Sequence, residues 1–473
     1  MSVLLRRLRR SAAVALLAAA CRDPAAPPGG SGGPIEPPPP AVVPDSLAIR
    51  VVPGGRAWVR SDVRDSLGLA PHVAVTFASA DTAIARVDTM GQIAGVAAGR
   101  TVVTASVADG RTVRLAVAVR PVRYRDVQAS VEGGGCALTD AGEALCWGYN
   151  VNGVLGVETV RSCGWQSPGR PWVCGSFPSD GPTFVRTRER FASLAVGWGI
   201  RCALTADGRA VCWGTPRDDG RLVEPCDTLP RGRCDFAPRP VAGGPRWTEV
   251  EAGGYHLAGT GCGRDAGGAT WCWGNGWTGQ AGAGGVGGVV AAPAPVRGAP
   301  PLRDLVVGNV LSCGLDAEDA VWCWGHRAYL GNDTAGVRLF DPQPEPQRAA
   351  NGMRFAALSL FDGGCGLTRA GEAWCWEYGT VPRPAAPGLR LASVDAGGGA
   401  ACGLTADGEG WCWRYGRPPQ RVAPEVRLRT LSIADHEACG MGVDGIAYCI
   451  RFEAGPRETE PRVGAPRRLA GQG

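Results

Sequence analysis

Seven pairs of cysteines, each ten positions apart, recur along the chain: Cys136 with Cys146, Cys202 with Cys212, Cys262 with Cys272, Cys313 with Cys323, Cys365 with Cys375, Cys402 with Cys412, and Cys439 with Cys449. Self-similarity at this level constrains a fold strongly, because each copy must be one supersecondary unit that its neighbours cover. The surroundings recur as well. Six of the second cysteines are followed by Trp (Trp147, Trp213, Trp273, Trp324, Trp376, Trp413), with Ile450 the exception. Six positions after each first cysteine stands Gly142, Gly208, Gly268, Asp319, Gly371, Gly408 or Gly445. Two positions after it stands a Leu, or Met441 in the last copy; Arg264 breaks the rule in the third.

These residues specify a hairpin. Residues 136–139 and 143–147 read as two strands joined by a turn near Ala141, with Gly142 where positive φ is needed and Asp the next most tolerated type. This pairing sets Cys136 opposite Cys146, about 4.5 Å apart at Cα for a non-hydrogen-bonded pair, within disulfide range. The neighbouring Leu and Trp then fall on opposite faces. Each hairpin is apolar on both sides, and a closed ring of blades covers both. A further short strand precedes each hairpin, at 124–127, 191–194, 247–250, 302–305, 355–358, 391–394 and 428–431. Before most of these lies a Pro-x-x-Val-like segment, such as Pro182-Thr183-Phe184-Val185 or Pro293-Ala294-Pro295-Val296. The first repeat lacks a clear one and the C-terminus has a spare at Pro461-Arg462-Val463, so the C-terminal strand is expected to complete the first blade.

The run Trp147-Gly148-Tyr149-Asn150-Val151-Asn152-Gly153-Val154-Leu155-Gly156, preceded by Ala137-Leu138-Thr139-Asp140-Ala141-Gly142, resembles the regulator of chromosome condensation repeat. The resemblance covers roughly 122–470 and implies a seven-bladed β-propeller. One departure is that the family usually carries His where this chain has the first Cys. Members include exchange factors for a nuclear GTPase and a secreted β-lactamase inhibitor. The resemblance therefore implies protein binding through propeller loops, without a single function, and no motif here carries the exchange activity.

Upstream the chain changes character three times. Residues 1–20 read as a signal peptide, with Arg6, Arg7, Arg9 and Arg10 before an apolar run too short for a bilayer, which needs roughly 20 residues. Ala18-Ala19-Ala20-Cys21 resembles a bacterial lipobox with Ala in place of the usual Leu, making Cys21 a lipidation site. Cleavage after Ala20 to give a secreted protein is the alternative. A charged n-region explains Arg6-Arg7 better than a twin-arginine signal does. Residues 21–44, ending in Pro37-Pro38-Pro39-Pro40, form a disordered Pro/Gly-rich tether. Residues 45–120 alternate apolar and polar residues in short runs, the pattern of a small sandwich. The segment 77–99 in it resembles the bacterial immunoglobulin-like group 2 domain, which implies a spacer or an adhesive module. The fold class is thus all-β: a seven-bladed propeller after a small immunoglobulin-like sandwich.

Of 19 cysteines, the seven pairs use fourteen. Two further pairs, Cys163 with Cys174 and Cys226 with Cys234, use four more, and Cys21 is left over. All eighteen paired cysteines are expected to be disulfide-bonded. An even count with one residue spare at the processing site fits an oxidised lipoprotein. Zinc is the rival reading of paired cysteines, but metal sites favour a C-x-x-C knuckle, and so does redox catalysis.

Spacing between successive first cysteines runs 66, 60, 51, 52, 37 and 37. The core repeat is near 37, and the first four copies carry insertions after the Trp-containing strand. These should emerge on one side of the ring. The two largest, about 149–182 and 215–240, hold the extra cysteine pairs, as a preorganised recognition surface would. Trp165, Trp172 and Trp277 lie in insertions and are candidate contact residues; packing the loops down is their alternative role.

Function classes narrow by charge and motif. The chain has no Lys, and its 49 Arg against 44 acids fall to 45 against 44 once the signal peptide is gone. A nucleic-acid binder needs a larger basic excess. The run Gly282-Ala283-Gly284-Gly285 lacks the Lys-Ser/Thr of a phosphate loop. The four His (His72, His256, His326, His436) are scattered, so no catalytic set can be assembled, and neither cofactor nor metal is expected. The chain reads as a monomeric, non-enzymatic scaffold recognising a protein or glycan. Inhibition of an extracytoplasmic enzyme, or a hydrolase or lyase acting on polysaccharide, are the alternatives. Arg22 stands where an Asp often retains lipoproteins at an inner membrane, which points to the outer surface.

Overall fold

All seven ten-residue cysteine pairs are disulfides across directly opposed residues, with Cα atoms 4.0–4.1 Å apart. The hairpin register is the one the spacing demands. Cys136 faces Cys146, Cys202 faces Cys212, Cys262 faces Cys272 and Cys313 faces Cys323. Likewise Cys365 faces Cys375, Cys402 faces Cys412 and Cys439 faces Cys449. The turn residues Gly142, Gly208, Gly268, Asp319, Gly371, Gly408 and Gly445 all have φ between 65° and 83°. Seven such bonds fit an oxidising, extracytoplasmic compartment.

The structure, a computed structural model, describes residues 41–42, 48–69, 73–130, 133–150, 153–157, 162–164, 173–175, 179–214, 237–255, 258–283, 286–333, 341–414, 416–435, 437–453 and 462–472. Several expected site residues lie outside them: Cys21, Cys226, Cys234, Trp165 and Trp172, as well as the signal peptide and most of the tether. The expected bond between Cys226 and Cys234 therefore has no counterpart among the described disulfides. Cys163 is described, opposite Cys174 across a two-stranded ladder. No described helix is long and apolar enough to cross a membrane.

Each blade is a sheet whose strands follow one another in sequence. Blade 1 comprises Tyr124–Ser130, Gly134–Thr139, Ala144–Gly148 and Ser179–Phe184; blade 4 comprises Asp304–Val307, Leu311–Leu315, Val321–His326 and Pro342–Arg348. The proline-bearing segments are the fourth strands of the blades that precede them. Phe184 pairs with Leu145, and Pro295 with Trp271. This corrects the expected ring closure. The C-terminal strands Arg462–Val463 and Arg467–Arg468 both pair with Ala447–Glu453 of blade 7, not with blade 1. A fourth strand folds back on the third strand just before it, so every blade completes itself.

The core is divided among the seven junctions between blades. Cys136, Leu138 and Cys146 of blade 1 pack against Phe191, Leu194 and Trp213 of blade 2. Cys202 and Cys212 of blade 2 pack with Trp247 and Trp273 of blade 3, and Cys262 and Cys272 of blade 3 with Leu305 and Trp324 of blade 4. Cys313, Leu315 and Cys323 of blade 4 meet Phe355, Leu358 and Trp376 of blade 5, while Cys365 and Cys375 of blade 5 meet Leu391 and Trp413 of blade 6. The disulfide face of one blade thus covers the Trp face of the next. Trp213, Trp324 and Trp376 are at most 1% exposed, and full burial of such a side chain contributes more than about 2 kcal/mol. Ile450 fills the Trp position against Cys402 and Cys412 at the junction of blades 6 and 7.

The last junction closes the ring. Cys439, Met441 and Cys449 of blade 7 pack on Tyr124, Val127, Ala137 and Leu145 of blade 1. The chain end crosses this seam as a clasp. Val122 N–H donates to the Gly471 carbonyl at 2.7 Å, and the Tyr124 hydroxyl to the Ala470 carbonyl at 2.8 Å. The Gln472 side chain holds both backbone groups of Ala447.

Ahead of the ring, two small sheets pack around Val51, Val63, Ile93, Val103, Leu115 and Val117. One sheet has Gly99–Ser106 and Thr112–Val119 at its centre; the other is Arg56–Trp58, Gln92–Gly95 and Ala85–Val87. Ala41–Val42, within the expected tether, pairs with Val113 and Arg114. This sandwich is seated on the propeller and does not stand apart as a spacer. Val52 is fully buried among the seam residues. Arg50 pairs with Glu143 and lies 4.7 Å over the Phe184 ring, while Arg56 reaches Asp180 at 2.8 Å and Arg186 reaches Asp62 at 2.6 Å.

Candidate functional site

The third strand of every blade runs toward the same rim, so the connections leaving it share one face of the ring. Two sequence devices shape this face. The first is a short x-Leu/Ala-Gly turn: Val154-Leu155-Gly156, Gln280-Ala281-Gly282 and Tyr329-Leu330-Gly331. Its first carbonyl accepts the indole N–H of the next blade's Trp. Trp213 donates to Val154 at 3.0 Å, Trp324 to Gln280 at 2.9 Å and Trp376 to Tyr329 at 2.8 Å. The three glycines have φ of 62–73°, and a Cβ on any of them would press on that Trp at about 3 Å. The loop base is thereby pinned to the neighbouring blade. Blade 5 has only residues 377–382 in this connection, and the buried Trp413 indole N–H meets no acceptor among the described residues.

The second device places aromatic side chains beyond the pinned base. Tyr149, Trp277 and Tyr378 follow the third strands of blades 1, 3 and 5 and are 56%, 61% and 43% exposed. Rings of this size in water offer contact area at little entropic cost. Tyr378 forms an edge-on trio with His326 and Tyr329 of blade 4, with centroids 5.2–6.0 Å apart. The His326 Nδ1 accepts the Ala328 N–H at 3.3 Å, which fixes the ring at the start of this connection. Blades 4 and 5 therefore share one aromatic surface.

Of the three tryptophans singled out by sequence, Trp277 is on this face and exposed, with its backbone N–H held by the Asn275 side chain at 3.0 Å. Sequence reasoning missed Tyr149, His326 and Tyr378. All three stand three positions after a second cysteine (Cys146, Cys323 and Cys375), a column that aligning the repeats would have displayed. As for metals, the described residues bring three ligand-bearing side chains together only at Glu437, Cys439 and Cys449, and those two sulfurs are bonded to each other.

Fold and face together define a seven-bladed β-propeller with one elaborated rim. No protein-family model and no curated protein matches the chain. Among solved structures it is similar to human WBSCR16, at 15% identity and a TM-score of 0.52, covering 69% of this chain and 94% of that one. It is likewise similar to Prp20p from Saccharomyces cerevisiae, at 17% identity and a TM-score of 0.52, covering 67% of this chain and 82% of that one. Identities this low establish the shared propeller fold.

Proposed function

We propose that this chain is an exported binding scaffold that recognises a protein partner through the elaborated face of its propeller. The observation that carries the reading is the exposure of Tyr149, Trp277 and Tyr378 on one face, from three separate blades, above loop bases fixed by the Trp ties. Hot spots of protein interfaces favour rigid aromatic anchors of this kind. Prp20p, which has the same fold, is described by its binding to Gsp1p and histones, and a protein rather than a glycan partner fits that precedent. In this reading the signal peptide and Cys21 deliver and anchor the chain at the cell envelope. The bacterial immunoglobulin-like sandwich, seated on the blade 7–blade 1 seam, orients the ring.

The test places a photo-crosslinking residue at Trp277, and in a second protein at Val443, which is 69% exposed in the blade 7 hairpin on the opposite face. Crosslinking in extracellular material should give a discrete protein adduct from position 277 alone. Adducts from 443 alone, or the same adducts from both, would reject the assignment of the face.

A further inference from the structure

The first strands of all seven blades line an axial cavity of about 410 Å³. Register fixes which side chains form its wall. Opposite the first cysteines stand Gln128, Glu251, Ser359, Asp395 and Ser432, alongside Ala195 and Val306. Two residues nearer the hairpins stand Asp126, Glu249 and Asp304. Five carboxyl groups from four blades thus face one another in two tiers about 6.6 Å apart along the strands. No Arg is among the described residues lining the cavity.

Four of the five have partners. Glu249 meets Arg264 at 2.9 Å from behind the wall. Asp395 accepts the Ser359 hydroxyl at 2.7 Å and the Ile433 N–H at 2.8 Å, tying blades 5, 6 and 7. Asp126 accepts from the Gln128 amide at 3.1 Å. Asp304 feels the charges of Arg303 and Arg264. Glu251 meets no donor among the described residues. Protein closes around it, only the channel wets it, and its charged neighbours are Glu249, Asp304, Asp395 and Asp126. Desolvation first, and these like charges second, push its pKa up to about 8. Burial also raises Glu249, Asp304 and Asp395. A wall of carboxylates with so few counter-charges favours a cation.

We infer that the axial channel binds a linear organic polyammonium cation of the polyamine class, with Glu251 as its principal charge partner. A bare metal ion is a poorer fit, because no three of these carboxylates approach within 4.8 Å of one another. A chain of ammonium groups can meet carboxylates tier by tier while its methylene spacers lie against Val196 and Val306. The volume suits a small linear molecule. This inference is independent of the protein-binding face.

The test titrates the full folded chain with spermidine by calorimetry at pH 8, in buffers of different ionisation enthalpy. The expected result is one site, protons released on binding as Glu251 ionises, and affinity weakened about tenfold or more in Glu251→Gln, the loss of a charged hydrogen bond. Unchanged affinity in that variant, or calcium chloride binding at one equivalent more tightly than spermidine, would overturn it. The parent protein supplies a readout that does not depend on the variant's folding. Spermidine should raise its melting midpoint where magnesium chloride at equal ionic strength does not, and equal shifts would likewise overturn the inference.

Discussion

The two faces of the ring are built from the same seven repeats and have diverged in opposite directions. On the hairpin face every turn has the same length, and in five of the seven the turn carbonyl receives a backbone N–H from the start of the next blade. Phe191 donates to Gly142 at 2.8 Å, Trp247 to Gly208 at 2.8 Å, Phe355 to Asp319 at 2.9 Å, Leu391 to Gly371 at 2.8 Å and Leu428 to Gly408 at 2.9 Å. Ion pairs such as Arg303–Asp319 at 2.9 Å and Arg427–Glu409 at 2.7 Å decorate these latches; solvent screening of their guanidinium groups keeps such pairs a minor part of the hold. The opposite face connects the third and fourth strands with anything from five residues in blade 6 to thirty in blade 1. Latching at one end frees the other to vary, and exposed aromatic residues collect where variation is tolerated.

The contrast can be broken in graded steps. Reducing all seven disulfides is the largest perturbation, since each short loop contributes about 2–3 kcal/mol by chain entropy. Loss of the folded signal in near-ultraviolet circular dichroism under reductant is the expected outcome, with retention of native ellipticity counting against the stapled ring.

Next in size is the latch itself. Gly408 has φ of 83°, and a Cβ there would lie 2.7 Å from the Leu428 carbonyl. Gly408→Ala should therefore cost about 1–3 kcal/mol in urea unfolding. Gly416, on the opposite face with φ of 73° and open space around it, supplies the comparison: Gly416→Ala bears only the backbone strain and should cost clearly less. Equal costs would remove the distinction between faces.

The channel sets a pH dependence. Glu249, Glu251, Asp304 and Asp395 have folded pKa values raised above those of the unfolded chain. The native state therefore holds extra protons, and stability declines as pH rises from about 4.5 toward about 8. Asp319 is held low by Arg369 and Arg303, so its contribution is present at neutral pH and lost on acidification below the ordinary Asp value. Glu251→Gln should raise the melting midpoint more at pH 8.5 than at pH 5. A variant whose gain is the same at both values would contradict the assignment of that proton to Glu251.

A smaller effect separates two tryptophans of the elaborated side. Trp376→Phe removes a buried hydrogen bond to the Tyr329 carbonyl and should cost about 1 kcal/mol beyond its lost area. Trp413→Phe removes an indole N–H that meets no acceptor among the described residues, so its cost should be lower by that amount in chemical denaturation.

How legible these features are in the sequence depends on how local they are. The hairpins, their positive-φ turns and the cysteine partners follow from ten-residue spans, and the structure holds each of them. Assigning the Pro182 segment to the following blade failed, because proximity in sequence does not say whether a strand pairs forward or back. The seam fell with it: Arg462–Val463 and Arg467–Arg468 complete blade 7, and the tail from Ala470 clasps Val122 and Tyr124. The sandwich reads as a spacer in sequence because nothing local reveals that Val52 is buried across a domain boundary. The channel carboxylates escape notice for another reason. Glu251, Asp395 and Gln128 occupy one register position but differ between blades, so no repeating column announces them.

The central claim, that the hairpin face holds the ring while the elaborated face is free to recognise, is most directly tested by the melting midpoint of a triple variant combining Tyr149→Ser, Trp277→Ser and Tyr378→Ser. Exposed substitutions away from latches typically change stability by about 0.5 kcal/mol or less each. The triple variant should therefore melt close to the parent, and above Gly408→Ala. A fall as large as that caused by the single latch glycine would mean that these aromatic residues hold the propeller together, and would contradict the division between the faces.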